Sequence, residues 1–242
     1  MFIKPKALPY DPVECSQKPY AEQLRMICDA WSMQGYGSPW IAYIFYGLKI
    51  WAYVWLWTWF CSYTPGMGSW SDWSWALDPV AFQKAIAFSM LFEVLGLGCG
   101  SGPLTARFLP SFGGFLYWLR PGTTKLPLSL IENVPLIGGP RRNLIDVALY
   151  IALIYYLVAS LIHPLPNANE WLPIIVLLPI LGVLDKPIFL AARAEHYWVT
   201  MVIMAFAAGQ NAWIAGAMWV QLALWFFAGF SKLNHHFATV VC

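Results

Sequence analysis

Leu153-Ile154-Tyr155-Tyr156-Leu157-Val158-Ala159-Ser160-Leu161-Ile162 is apolar at nearly every step. A strand of a closed membrane barrel alternates polar and apolar residues, and this stretch does not. Inside hydrocarbon every backbone amide must find a partner within the protein, so an apolar run of this length reads as a helix. Comparable runs occur at Trp40 to Tyr63, Ala81 to Gly98, Asn143 to His163, Trp171 to Leu184, Ile188 to Ala208 and Asn211 to Ser231. The fourth is the weakest, because Pro173 and Pro179 interrupt it and Asp185-Lys186-Pro187 closes it, which predicts a kink or tilt.

Composition agrees. The chain has 242 residues, 60% of them hydrophobic and 11% charged, where soluble domains carry about 25% charged residues. The expectation is an all-α, polytopic transmembrane bundle of about six spans, with an interfacial or re-entrant segment between the second and third. That segment is read from the Gly- and Pro-rich region between Gly100 and Pro140, including Phe108 to Trp118. A formal charge of +2 excludes nothing by itself but gives no support for nucleic-acid binding. The five cysteines are scattered and contain no CxxC spacing, so neither a disulfide framework nor a cysteine zinc site is expected.

Orientation follows from the basic residues. Lys4, Lys6, Lys18 and Arg25 precede the first run; Arg107, Arg120, Lys125, Arg141 and Arg142 lie between the second and third; Lys186 and Arg193 follow the fourth; Lys232 follows the last. Thr64 to Pro79, Pro164 to Glu170 and Gly209 to Gln210 contain no Lys or Arg. Cytoplasmic loops are enriched in both, which predicts a multi-pass protein of the cell membrane with both ends inside. Only Lys49 and Lys84 fall outside the pattern. The expected organisation is a cytoplasmic segment over 1–39, a helical membrane domain over 40–231 and a second cytoplasmic segment over 232–242. The first forty residues contain no apolar stretch suited to a cleavable signal, so insertion through the first span is expected. The Trp-rich loop Trp70 to Trp75 fits an interfacial aromatic belt.

Charges at membrane depth are candidate sites because they are costly there. Glu93 lies toward the inner end of the second run, and Asp185, Lys186, Arg193, Glu195 and His196 form the densest charged group. That group suits either structural pairing or the anchoring of a headgroup, a phosphate or a quinone carbonyl. A buried pair is expected for Arg193, with Glu195, Asp185 or Glu93 as partner. His235 and His236 are adjacent, but four histidines in all are too few for a histidine-box metal site, and no metal is expected. Phosphate-loop, dinucleotide and Ser-His-acid patterns are also missing, and the glycines from Gly96 to Gly102 read as a flexible span exit.

The last run ends Gln221-Leu222-Ala223-Leu224-Trp225-Phe226-Phe227-Ala228-Gly229-Phe230-Ser231-Lys232-Leu233. This resembles the HTTM (horizontally transferred transmembrane) domain, the membrane part of vitamin K-dependent gamma-carboxylases. Glu93 to Gly98, Leu116 to Thr123 and Ser231 to His236 are similar to segments of an uncharacterised bacterial family of multi-span membrane proteins, and that second resemblance covers most of the chain. Its members continue further, which implies a protein extending beyond Cys242. The carboxylase resemblance implies Lys232 as a candidate catalytic base toward a quinone, in surroundings desolvated by Phe226, Phe227 and Phe230; the alternative is a lysine that faces headgroups and sets topology. No carboxylase activity follows, because no lumenal domain does.

Two functions remain open on these grounds. One is a membrane enzyme or binding domain that holds a quinone or lipid near its cytoplasmic side, with Glu93, Arg193, Glu195, His196, Gln221, His235 and His236 as ligand contacts beside Lys232. The other is an accessory or scaffolding subunit of a larger membrane complex. Beyond the bilayer itself, expected partners are other membrane subunits and no nucleic acid.

Overall fold

The computed structural model describes residues 8–34, 40–98 and 115–233. Regular structure among them is helical, apart from one antiparallel bridge between Thr124 and Arg141. His235, His236 and residues 99–114, which include part of the expected re-entrant stretch, lie outside the described residues.

The chain divides into two compact units, Met1–Ala52 with Leu222–Cys242, and Tyr53–Gln221. In the first, α1 (Pro12–Ser16) begins at Asp11, whose side chain accepts the Val13 amide, and Pro12 occupies a first-turn position where its missing N–H costs nothing. Gln23 of α2 (Tyr20–Gln34) donates back to the Ser16 and Lys18 carbonyls and ties the two helices together. This unit also holds the first part of α3 (Trp40–Cys61) and the last part of α10 (Gln210–Ser231).

The second unit contains α4 (Pro79–Val94), the single turn α5 (Phe115–Trp118), α6 (Leu144–Ile162), α7 (Ala168–Leu184), the short α8 (Lys186–Ala191) and α9 (Ala194–Phe206). Helices α4, α6, α7 and α9 close a ring in which each packs on two others, α4 on α6 and α9, α7 on α6 and α9, with α8 tucked against α7, α9 and α4. Tyr150, Leu153, Leu157 and Leu161 place one helical stripe of α6 in the core, where they join Met90, Leu91, Ile174, Leu178 and Leu181. The opposite faces are equally apolar: Ile151 and Tyr155 of α6 and Val176 and Ile180 of α7 are exposed. Helices that are apolar all round suit hydrocarbon rather than water.

Local chemistry sets the helix ends. Asp78 caps α4 through the Val80 amide, and Asn143 and Asn167 open α6 and α7 with reciprocal capping boxes closed by Asp146 and Glu170. At the end of α4 the Leu97 amide donates to the Phe92 carbonyl and Gly96, at φ +72, donates to Glu93. This left-handed glycine cap gives the expected flexible exit a defined termination. Within α7, Pro179 cannot donate to the Ile175 carbonyl four residues earlier, and the Trp198 indole of α9 fills that place at 2.8 Å.

Among the described residues two helices are long and apolar enough to cross a membrane, Leu144–Ile162 and Asn211–Ser231. The other runs fall short for identifiable reasons. Helix α4 has 16 residues and α7 has 17, close to 25 Å at about 1.5 Å per residue, against about 30 Å of hydrocarbon. The run from Ile188 is broken where Arg193 takes a left-handed backbone at φ +50, which leaves α9 with 13 residues. Helix α3 has the length, 22 residues, but carries the charged Lys49 inside its apolar run along with many Trp and Tyr rings.

Tyr150 near the start of α6 donates to the Val94 carbonyl at the end of α4 (2.8 Å), and Thr64 after α3 donates to Pro164 after α6 (2.6 Å). Helices α4 and α6 therefore run antiparallel, as do α6 and α7 across their short connection, while α3 and α6 finish at the same end. One end of the bundle gathers Lys125, Arg142, Lys186 and Arg193; the loops of the other contain no Lys or Arg.

Candidate functional site

At the basic end the chain after α5 is drawn out and threaded between two helix ends. Gly122, at φ +81, donates to the Arg142 carbonyl (2.7 Å), Arg142 donates to Thr123 (2.8 Å), and Lys125 donates to Pro140 (3.0 Å). On its other side, Lys186 donates to Leu126 (3.0 Å) and Leu128 to Val183 (2.8 Å). The 120–128 segment is thus a backbone-bonded strap joining the approach to α6 with the end of α7. Gly138 permits the return: a Cβ there would lie within 2.7 Å of the Ile131, Glu132 and Val134 carbonyls.

The strap carries buried charge into the bundle. Lys125 Nζ donates to both Asp146 oxygens, at 2.8 and 2.7 Å, and to the Ile137 carbonyl at 2.8 Å, so its three N–H groups are all engaged. Asp146 also accepts the Asn143 amide at 2.8 Å in the first turn of α6, where the helix dipole favours an anion. Arg142 Nη2 stands 2.6 Å from Asp185 Oδ2, its Nη1 donates to Thr123 Oγ1 at 3.0 Å, and its guanidinium lies 5.4 Å from the Tyr117 ring centre. Burial pushes the Asp185 carboxyl above its ordinary value; the Arg142 charge and the Leu126 amide oppose that shift. Two cations and two anions, all buried, balance one another. Sequence reading missed this quartet. It counted Lys125 and Arg142 as topology charges only, although the Asn143 and Asp146 capping-box spacing marked one of the carboxylates.

Of the residues expected to bind a ligand, three lie together at the start of α9. Arg193 stands immediately before α9; its Nη1 is 4.0 Å from Glu195 Oε1, and His196 Nδ1 is 3.8 Å from the same oxygen. Tyr197 is within electrostatic range of Glu93 and Arg193, and the His196 ring meets it edge-on at 4.7 Å. The structure therefore brings Arg193, Glu195 and His196 together, with the His196 ring against Tyr197. It also corrects the buried pair expected for Arg193. That side chain is 40% exposed against Glu195 at 50%, and Asp185 is engaged by Arg142 instead. Glu93 folds back over Gly98, where a Cβ would overlap its carboxylate.

Gln221, in α10, is exposed. Lys232 follows α10 in the other unit and is also exposed, as are Phe226, Phe227 and Phe230. Among the described residues no three His, Cys, Asp or Glu side chains stand close enough to hold a metal ion.

The opposite end holds an open cavity of about 480 Å³ whose lining includes Met67, Trp75 and Asp78. Trp70, Trp73, Trp75 and Trp57 follow one another there at centroid distances of 5.2 to 5.4 Å. Asp72, in the same loop, is held below the usual carboxylate range by the Ser74 amide and hydroxyl. One turn into α4, Lys84 is fully buried and donates to the Phe60 carbonyl at 2.9 Å.

No curated protein and no solved structure matches the chain. One family model covers all of it, residues 1–242, and the chain belongs to that family, DUF3556, a family of transmembrane proteins of unknown function.

Proposed function

We propose that this protein crosses the membrane about six times with both ends on the cytoplasmic side, and that its basic end binds the polar head of a lipophile, a quinone or a lipid. The observation that carries the binding reading is the group formed by Arg193, Glu195 and His196 beside Tyr197, which also feels the charge of Glu93. The neighbouring quartet satisfies its charges internally, whereas Arg193 and Glu195 are part-exposed and able to meet a ligand. An arginine at a helix break beside a carboxylate and an imidazole offers donors and acceptors to a phosphate or carbonyl head, while the apolar outer faces of α6 and α7 suit its tail. The antiparallel order of the ring and the concentration of Lys and Arg at one end support the orientation. From the sequence pattern alone, Lys232 is a separate candidate base, and Gln221, His235 and His236 are separate candidate ligand contacts.

An unbiased mass-spectrometric inventory of molecules co-purifying in mild detergent tests this reading. The parent is expected to carry a near-stoichiometric lipophile that Arg193→Ala loses several-fold and Lys186→Ala retains. Equal occupancy in Arg193→Ala and parent removes the site. One observation favours the second reading, an accessory subunit: Trp219, Trp225, Phe226, Phe227 and Phe230 are all more than 60% exposed on α10. In that case the inventory returns a stable set of membrane subunits in place of the lipophile.

A further inference from the structure

The loop between α3 and α4 forms the cavity of about 480 Å³ at the end of the ring away from Arg193, a volume within the roughly 300–1,000 Å³ of small-molecule sites. Its wall is firmly held. A Cβ on Gly68, at φ +81, would lie 2.7 Å from Ser62, so the loop is folded down closely on the end of α3. Thr64 ties the start of the loop to the Pro164 carbonyl at 2.6 Å.

Both side-chain donors in the wall are already used. The Trp75 indole donates to the Ser69 carbonyl at 2.9 Å, and the Ser74 hydroxyl donates to Asp72 at 2.8 Å. Pro65 and Pro79 have no N–H, and the Met67 and Asp78 amides donate to the Thr64 and Trp75 carbonyls. What the wall keeps is acceptor and π surface. Asp78 gives Oδ1 to the Val80 amide at 2.8 Å, and its Oδ2 accepts no hydrogen bond among the described residues. Trp75 belongs to a row of four indoles, with Trp73 stacked on it at 5.4 Å, Trp57 tilted against it at 5.2 Å, and Trp70 edge-on to Trp73. Charge points the same way. The segments Thr64 to Pro79 and Pro164 to Glu170 carry Asp72, Asp78 and Glu170 and no Lys or Arg. The one lysine of α4, Lys84, donates to the Phe60 carbonyl and is not part of the wall.

We propose that this cavity binds a quaternary ammonium group, a trimethylammonium head held by the Trp75 indole and the Asp78 carboxylate. Indole is the strongest of the aromatic partners for a cation, and a carboxylate beside it supplies the counter-charge. A primary ammonium suits the wall less well, because its three N–H groups each need an acceptor; Lys125 in this same protein takes three. A trimethylammonium spreads its charge over methyl groups and needs none. An anion would meet a carboxylate with no side-chain donor left to hold it. The site lies apart from the Arg193 group and does not require the lipophile.

The test is equilibrium dialysis of radiolabelled choline against the full chain in dodecyl maltoside, a detergent without charge. Saturable binding above that of protein-free micelles is expected, with ethanolamine competing several-fold more weakly than choline and dimethylbutanol, the neutral tert-butyl analogue of choline, failing to compete. Asp78→Asn removes the charge but keeps the helix cap, since asparagine accepts there as well as aspartate does, and should weaken binding several-fold. Absence of saturable binding overturns the site, and so does competition by dimethylbutanol equal to that of choline, or an unchanged affinity in Asp78→Asn. The comparison of analogues is made on the parent chain, so it carries the test if the variant folds poorly. Nanodiscs then identify where the head comes from. Choline binding lost in phosphatidylcholine discs and kept in phosphatidylglycerol discs assigns a lipid head, and equal binding in both assigns a free cation.

Discussion

The two ends of the ring of helices handle buried cations in opposite ways. At the basic end Lys125 and Arg142 enter on a backbone-bonded strap and each meets an aspartate. Toward the other end Lys84 is equally buried, with a carbonyl and no carboxylate. Desolvating a charge costs several kcal/mol, which a well-placed partner largely offsets, so the first arrangement holds shape. The second has no anion to hold it. A buried charge therefore has different consequences according to whether its partner is permanent.

The separation of the ends gives the largest expected effect. In a background freed of the five native cysteines, Leu77→Cys should react with a membrane-impermeant maleimide on intact cells, and Leu130→Cys only after permeabilisation. Both positions are well exposed, at 91% and 85%. The reverse pattern overturns the orientation, and labelling of both from outside overturns the crossing. Next in size is the quartet. Asp146→Ala leaves Lys125 buried without its anion and should cost about 3–5 kcal/mol in thermal or denaturant unfolding in detergent, whereas Lys125→Met with Asp146→Leu should recover most of the loss. If the single change costs no more than an exposed substitution, the pair contributes little. Smallest is Lys84→Met, which strands no carboxylate and should change stability by less than about 1 kcal/mol, or raise it. A loss comparable to that of Asp146→Ala would mean that Lys84 has a structural counter-ion, and the contrast between the ends would go.

The positions of the helices were legible in the sequence because apolar runs are local. Trp40 to Tyr63 became α3 and Asn143 to His163 became α6, nearly residue for residue. Their lengths were less legible. The break at Arg193 depends on a backbone conformation that nothing in Ile188 to Ala208 announces, and the ends of α4 depend on Asp78 and Gly96. Glu93, Arg193, Glu195 and His196 were singled out as charges at membrane depth, and of these Arg193 and His196 both stand close to Glu195. The quartet was invisible for a different reason: Lys125 with Asp146, and Arg142 with Asp185, join residues separated by a loop or by two whole helices. Lys84 stood out only as a basic residue that the topology pattern could not place; its isolation required the packing of α3 on α4.

The strap also has a place in time. Arg142 and the 120–128 segment leave the ribosome before Val183, Asp185 and Lys186, and α6 and α7 are made in between. At roughly 5–20 residues per second the wait is on the order of seconds. Through that interval Arg142 has no aspartate to enter the bundle with, so it stays in headgroup water and the loop stays open. Closure can come only after α7 has been delivered, which makes the strap a late latch on helices already inserted. A nascent chain stalled before Asp185 would thus display an exposed cation and an open loop to the insertion and quality-control machinery, a mark that the finished protein conceals.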